Sequence, residues 1–343
     1  MSELTYAHGG PPLRGVLRAT PEDFFVDEEL GFAADGAGEH VLVRIEKRGA
    51  NTDWVARELA KFAGISSDAV SYAGLKDRHA VTRQTFSVHL PGKADPDWAS
   101  LQHPEWRMLE AVRHSRKLQR GALKSNTFRI VLRDVQGDRD AAKQRIAAIA
   151  RGGVPNYFGE QRFGRDGGNL AKARAMFAGR RVQRHERSLL LSAARSQIFN
   201  AVLARRVEAG NWTGFGSDGV LDGEVWMLAG TQSIFGPEPF NAELAARLAQ
   251  GDIAPTGPLW GRGELRTTER VAEIECAVVS DHADLATGLE ANGLRQERRS
   301  LVLRATELTH SWLSPHDLEL RFNLKSGSYA TVILREIAEF HSG

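Results

Sequence analysis

The 343-residue chain is 42% hydrophobic, enough to bury sizeable cores in two domains. It holds no apolar run of roughly 18 residues, the length a membrane-spanning helix needs, and its opening MSELTYAHGGPPLRG lacks the charged-then-apolar layout of a secretion signal, so a soluble, cytoplasmic protein is expected. Its 45 basic and 43 acidic residues leave a net charge of +2, which by itself points to no partner, and a single cysteine excludes an internal disulfide and a cysteine-built zinc site.

In chain order, the first clear element is 40–46, where Val41, Val43 and Ile45 alternate with Leu42 and Arg44 as in a half-buried strand. A helix follows, capped by Thr52 or Asp53, with Val55, Leu59 and Phe62 at helical spacing until Gly64 stops it. Residues 70–73 and 84–90 read as strands on either side of the loop GLKDRHAVTRQ (74–84). That loop holds one acid, Asp77, between Lys76 and Arg78, and nearby positive charge favours its carboxylate. Taken alone, KDR reads as a solvated turn; only its wider context argues otherwise. Phe128, Ile130 and Leu132 alternate with Arg129, Val131 and Arg133, which puts apolar side chains and cations on opposite faces of another strand.

An Ala-rich helix over 140–151 is stopped by Gly152, Gly153 and Pro155, a sharp break that suits a domain boundary. Helices are expected at 169–177, 188–208 and 241–250, and Cys276, in VAEIECAVV, is expected to be a small buried residue. Strand character returns at 300–305, 311–313 and 318–324, before a last helix over 328–340. The simplest architecture is a sheet-based domain in two segments, 1–151 and 300–343, interrupted by a helix-richer insertion, 152–299.

Charge is unevenly spread. Residues 113–124 carry five Lys or Arg and no acid, and 180–187 carry four Arg against one Glu. Such clusters suit a phosphate backbone, although either alone reads as a solvated face. None of the 11 histidines falls in a metal-ligand spacing such as HExxH, and there is no GxxxxGK[ST] phosphate loop.

Three long motifs in order, GLKDRHAVTRQ (74–84), GALKSNTFRIVLRD (121–134) and VPNYFGEQRFGRDGGN (154–169), resemble the successive signatures of the TruD family of tRNA pseudouridine synthases. LRATPEDFFVDEEL (17–30), RSLLLSAARSQIFNAVLARR (187–206) and SGSYATVILREI (326–337) fit the same family, so the resemblance spans almost the whole chain. It implies an α+β fold: a pseudouridine synthase core with a mixed, largely antiparallel sheet, interrupted by a TruD-type insertion domain. It also implies isomerisation of uridine to pseudouridine in tRNA, at position 13 of the D arm, with tRNA as the partner, no obligate protein partner, no metal and no cofactor. Nothing is added or lost in that reaction.

By this resemblance Asp77 matches the catalytic acid, and whether it attacks the sugar, attacks the base or acts as a general base stays open. Arg18 falls at a basic position of the family, where lysine is also used, and suits a carboxylate partner. Phe128 would stack on the flipped uracil, Asn126 would offer an amide that donates and accepts, and Phe24 and Tyr329 would complete the pocket. Lys76, Arg78, Arg116, Lys117, Arg120, Lys124, Arg162 and Arg165 are the candidate RNA contacts. A non-catalytic tRNA-binding protein on the same scaffold is the rival reading, and the retained Asp77 argues against it. A methyltransferase would need a glycine-rich strand–helix turn, and no convincing one is found.

Overall fold

The computed structural model describes residues 4–119, 121–214 and 219–342, without the side chains of Arg165 and Ser342. It divides into two compact units. One comprises Pro11–Ala150, Ala305–Ala330 and Ile337–Gly343; the other comprises Met1–Gly10, Arg151–Arg304 and Thr331–Glu336.

The first unit is built on one sheet, eleven-stranded among the described residues. Its longest strand, Leu123–Gly137, pairs antiparallel with Phe24–Leu30 on one side and with Asp317–Lys325 on the other. Most other ladders are also antiparallel, while Phe24–Leu30 runs parallel to Val81–His89 and Leu13–Leu17 runs parallel to Ala338–Ser342. The alternation read at 128–133 holds: Phe128 and Ile130 are buried, whereas Arg129 pairs with Glu319 at 3.3 Å and Arg133 with Asp23 at 2.6 Å. The strand His40–Arg48 and the helix Thr52–Phe62 share a core in which Val41, Val43, Ile45, Val55, Leu59 and Phe86 are all fully buried.

Four expectations need correcting. The helix after residue 50 is preceded by Asn51 in extended conformation, and Thr52 is its first helical residue; the Thr52 hydroxyl is taken up by a tertiary contact with Gln84 at 3.1 Å and so does not serve as a cap. The last helix is only Ala330–Ile337, because Ala338–Ser342 leaves it to pair with Leu13–Leu17. The strand expected over 300–305 is two short strands, Glu297–Ser300 and Val302–Leu303, which turn to different partners. Cys276 is exposed. The inward stripe of its helix, Glu269–Asp281, is Val271, Glu275 and Val278, with the charge of Glu275 buried against Arg298.

The second unit is organised around the 25-residue helix Arg184–Glu208, which starts four residues before the expected Ser188. Its apolar face, including Leu190, Ala194 and Ile198, packs with Ala173, Leu285 and Leu289 from the helices Gly168–Phe177 and Ala283–Ala291. A side chain at Gly288 would put its Cβ 2.2 Å from the Phe177 ring, so this helix contact requires glycine. Two buried ion pairs hold the unit's polar interior: Arg206 with Glu224 at 2.6 Å, and Arg298 with Glu275 at 2.6 and 2.9 Å.

Candidate active site

The site grows from the register of the central strands. Val26 lies opposite Phe128 and Glu28 opposite Asn126 on one flank, while Phe322 lies opposite Phe128 and Leu324 opposite Asn126 on the other. Because side chains alternate, Asn126 and Phe128 share a face with Phe24, Glu28 and Phe322. Phe128 is stacked on Phe322 at 5.3 Å and meets Phe24 edge to face at 6.2 Å.

Asp77 sits in the loop between the strands Val70–Tyr72 and Val81–His89. Its Oδ2 accepts from Arg18 Nη2 at 2.7 Å, and its Oδ1 accepts from the backbone N–H of His79 at 3.0 Å. Arg18 follows the strand Leu13–Leu17 with φ +62°, a left-handed conformation unusual for arginine. From there its guanidinium lies 4.3 Å from the centre of the Phe24 ring while reaching Asp77. Arginine and aromatic face thus come from one segment, 17–30, and the anion from another, 74–84.

The loop is braced from below by buried polar groups. Lys47, fully buried, donates to the carbonyls of Ala50 at 2.7 Å and of Asp77 at 3.2 Å. Burial lowers its pKa to about 8, with Asp77 opposing that shift and Lys76 adding to it. Thr52 accepts from the Lys76 backbone N–H at 3.1 Å and donates to Gln84, whose amide in turn donates to Gly74. Lys76 turns its ammonium inward, to Glu28 Oε2 at 2.9 Å and Asn126 Oδ1 at 2.6 Å. The Glu28 carboxyl is wholly buried; desolvation raises its pKa, and Lys76 pulls it back.

The structure therefore gathers Arg18, Phe24, Lys76, Asp77, Asn126 and Phe128 into one cluster. Tyr329 is half-buried just before the helix Ala330–Ile337. Arg78 is exposed and donates to the Gly49 carbonyl at 3.2 Å. Arg116 and Lys117 are exposed, and Lys124, also exposed, pairs with Glu29 at 2.7 Å. Arg162 belongs to the second unit, where it donates to Ser192 at 2.8 Å and lies 5.4 Å from the centre of the Phe158 ring. Arg120 and the side chain of Arg165 lie outside the described residues. Among the described residues no group of three or more His, Cys, Asp or Glu is placed to hold a metal.

Sequence reasoning missed Glu28, Lys47, Thr52 and Gln84. A signal existed for Glu28: period-two spacing from Phe24 and Val26 turns it inward within the acidic run Asp27–Glu29.

Comparison with known proteins gives a consistent picture. A family model described as tRNA pseudouridine synthase D (TruD) matches residues 1–173 and 169–337. The tRNA pseudouridine synthase D of Xanthomonas axonopodis pv. citri is 52% identical over 355 residues, covering 98% of this chain and 95% of the relative. That of Aeromonas salmonicida is 48% identical over 341 residues, covering 99% and 95%. A solved structure described as tRNA pseudouridine synthase D from Methanosarcina mazei superposes with a TM-score of 0.71 at 23% identity, covering 97% of this chain and 95% of that one, a likeness of fold.

Proposed function

We propose, from the premise that this chain belongs to the TruD family of tRNA pseudouridine synthases, that it isomerises uridine to pseudouridine in tRNA, with Asp77 as the catalytic carboxylate. The observation that carries this reading is the Arg18–Asp77 pair at 2.7 Å, set beside a face that displays Phe24, Asn126 and Phe128. The target position, uridine 13 of the D arm, rests on the family resemblance alone.

The reaction breaks the bond from ribose C1′ to uracil N1, turns the base within the site and joins C1′ to C5. Asp77 acts at the sugar, stabilising or trapping the positive charge that develops at C1′. Arg18 holds the carboxylate toward that centre through one hydrogen bond, and the His79 N–H fixes the other oxygen. The uracil has left its stack to be reached, and an aromatic residue such as Phe128 with the Asn126 amide gives it a surface and an edge partner. The exposed Arg78, Arg116, Lys117 and Lys124 suit the phosphate backbone.

The test is to map pseudouridine in tRNA incubated with the purified protein and with its Asp77→Asn variant. Pseudouridine at position 13 with the first and none with the second supports the reading. Binding of tRNA without any conversion by the wild-type protein returns it to a non-catalytic RNA binder.

A further inference from the structure

Lysine has donors only, so where Lys76 Nζ meets Asn126 at 2.6 Å the atom it meets is the amide oxygen. The same ammonium is held at 2.9 Å by Glu28, whose side chain is wholly buried, and the lysine side chain itself is only 8% exposed. A charged donor in so dry a position keeps the Asn126 amide in one of its two orientations. The amide nitrogen is left as the group that can serve the base, and it takes no partner among the described residues. Polarising the carbonyl also makes the N–H groups of the same amide better donors. Asn126 was expected to both donate and accept; Lys76 biases it to donate.

We propose that Lys76 is a positioning residue that orients and polarises Asn126, so that the Asn126 amide donates to a uracil carbonyl oxygen and stabilises the base as it departs. The inference rests on the isomerase reading above. When the C1′–N1 bond breaks, both its electrons stay with the uracil, whose negative charge spreads from N1 to O2 and O4. C1′ is left cationic or bonded to the Asp77 carboxylate. After the base turns, C5 supplies the electron pair of the new C1′–C5 bond, C5 gives up its proton and N1 takes one, so composition is unchanged. A donor aimed at a carbonyl oxygen acts most strongly while that charge exists, which is a transition-state effect. Glu28 holds the ammonium in place at 2.9 Å, so that it faces the Asn126 carbonyl.

The test compares wild type with Lys76→Met on two tRNA transcripts, one with uridine and one with 5-fluorouridine, whose fluorine makes the departing base a more stable anion. Having no proton at C5 to lose, the fluorinated base is followed only through C1′–N1 cleavage and C1′–C5 bonding, with fluorine kept on C5. Single-turnover conversion at saturating enzyme is followed by the loss of the nucleoside after digestion. On uridine, Lys76→Met should slow conversion by about 100-fold, with tRNA affinity changed by less than about threefold. On 5-fluorouridine the deficit should shrink to about tenfold or less, because the better leaving group needs less help. An equal deficit on both RNAs, or a loss that lies mainly in binding, overturns the inference. A wild-type protein that converts no uridine overturns the isomerase reading itself, so the two failures are told apart. If Lys76→Met unfolds because Glu28 is left buried without its cation, the neutral pair Glu28→Gln/Lys76→Met carries the same comparison.

Discussion

Arg18 and Asp77 meet at 2.7 Å across 59 positions of sequence, and the arginine reaches that contact from a backbone conformation with φ +62°. Strain of this kind costs on the order of 1–3 kcal/mol and persists only where surrounding contacts enforce it. Here the enforcing contacts are the Phe24 ring beneath the guanidinium and the carboxylate at its tip.

Asp77→Asn should therefore abolish pseudouridine formation while leaving tRNA affinity within about tenfold of wild type, or roughly 1.4 kcal/mol. The amide keeps the size of the side chain and loses the charge required at C1′. Filter binding together with nucleoside analysis checks both halves, and turnover near wild type would remove Asp77 from the chemistry.

Arg18→Lys should keep at least about a tenth of the activity, because an ammonium still meets one carboxylate oxygen, whereas Arg18→Ala should lose more than about 100-fold. If both variants were equally impaired, the flat guanidinium over Phe24 would matter more than its charge. Single-turnover rates of the two variants, side by side with wild type, decide it.

Lys47 predicts an alkaline stability signature. Its pKa is lowered to about 8 in the folded state from an ordinary 10.5, so between those values the unfolded chain binds more protons. The sign follows: the penalty for burying the ammonium is fully present below pH 8 and fades as pH rises toward 10.5. Relative to Lys47→Met, wild type should gain about 2 kcal/mol of unfolding free energy between pH 8 and pH 10, measured by urea titration. Parallel pH curves for the two proteins would mean that the lysine is not titrating in its buried position.

Replacing Arg116, Lys117 and Arg120 together by neutral residues should weaken binding of all tRNAs alike and reduce the slope of log affinity against log salt by about one for each phosphate that is no longer neutralised. An unchanged slope would make the segment an ordinary solvated surface.

In the second unit, Glu275→Ala leaves Arg298 buried without its carboxylate, and a loss of about 3–5 kcal/mol is expected. A midpoint shift of less than about 1 kcal/mol in denaturant would show that Thr256, which also accepts from Arg298, suffices.

The parts of the fold that show in the sequence are those written in local periodicity. The strand His40–Arg48 and the helix Thr52–Phe62 announce themselves because apolar residues recur at spacings of two and of three to four, and Asn241 caps its helix by accepting from Leu244 at 3.0 Å. Residues 338–342 read as more helix because nothing local reveals that their partner is Leu13–Leu17. The site divides in the same way. Asp77 is conspicuous as the one acid in a cation-rich loop, but Lys76 looked like an RNA contact for the same reason, and its inward turn depends on Glu28, 48 positions earlier. Lys47 shares the inward parity of Val41, Val43 and Ile45 but lies one residue past the strand read at 40–46, and lysine is almost never fully buried without a partner; the carbonyls of Ala50 and Asp77 explain its burial.

The parallel ladder between Leu13–Leu17 and Ala338–Ser342 has a bearing on how the protein is made. Its partners are about 325 positions apart, and Leu13–Leu17 also pairs with Leu123–Gly137. During synthesis the early strand can dock on Leu123–Gly137 as soon as that segment emerges, yet its other edge stays open until residue 342 has left the ribosome. Arg18 follows directly on this half-paired strand. A nascent chain stalled anywhere in the intervening segment thus carries an unclosed sheet edge beside the arginine that must find Asp77, and that edge is covered only once residues 338–342 have emerged.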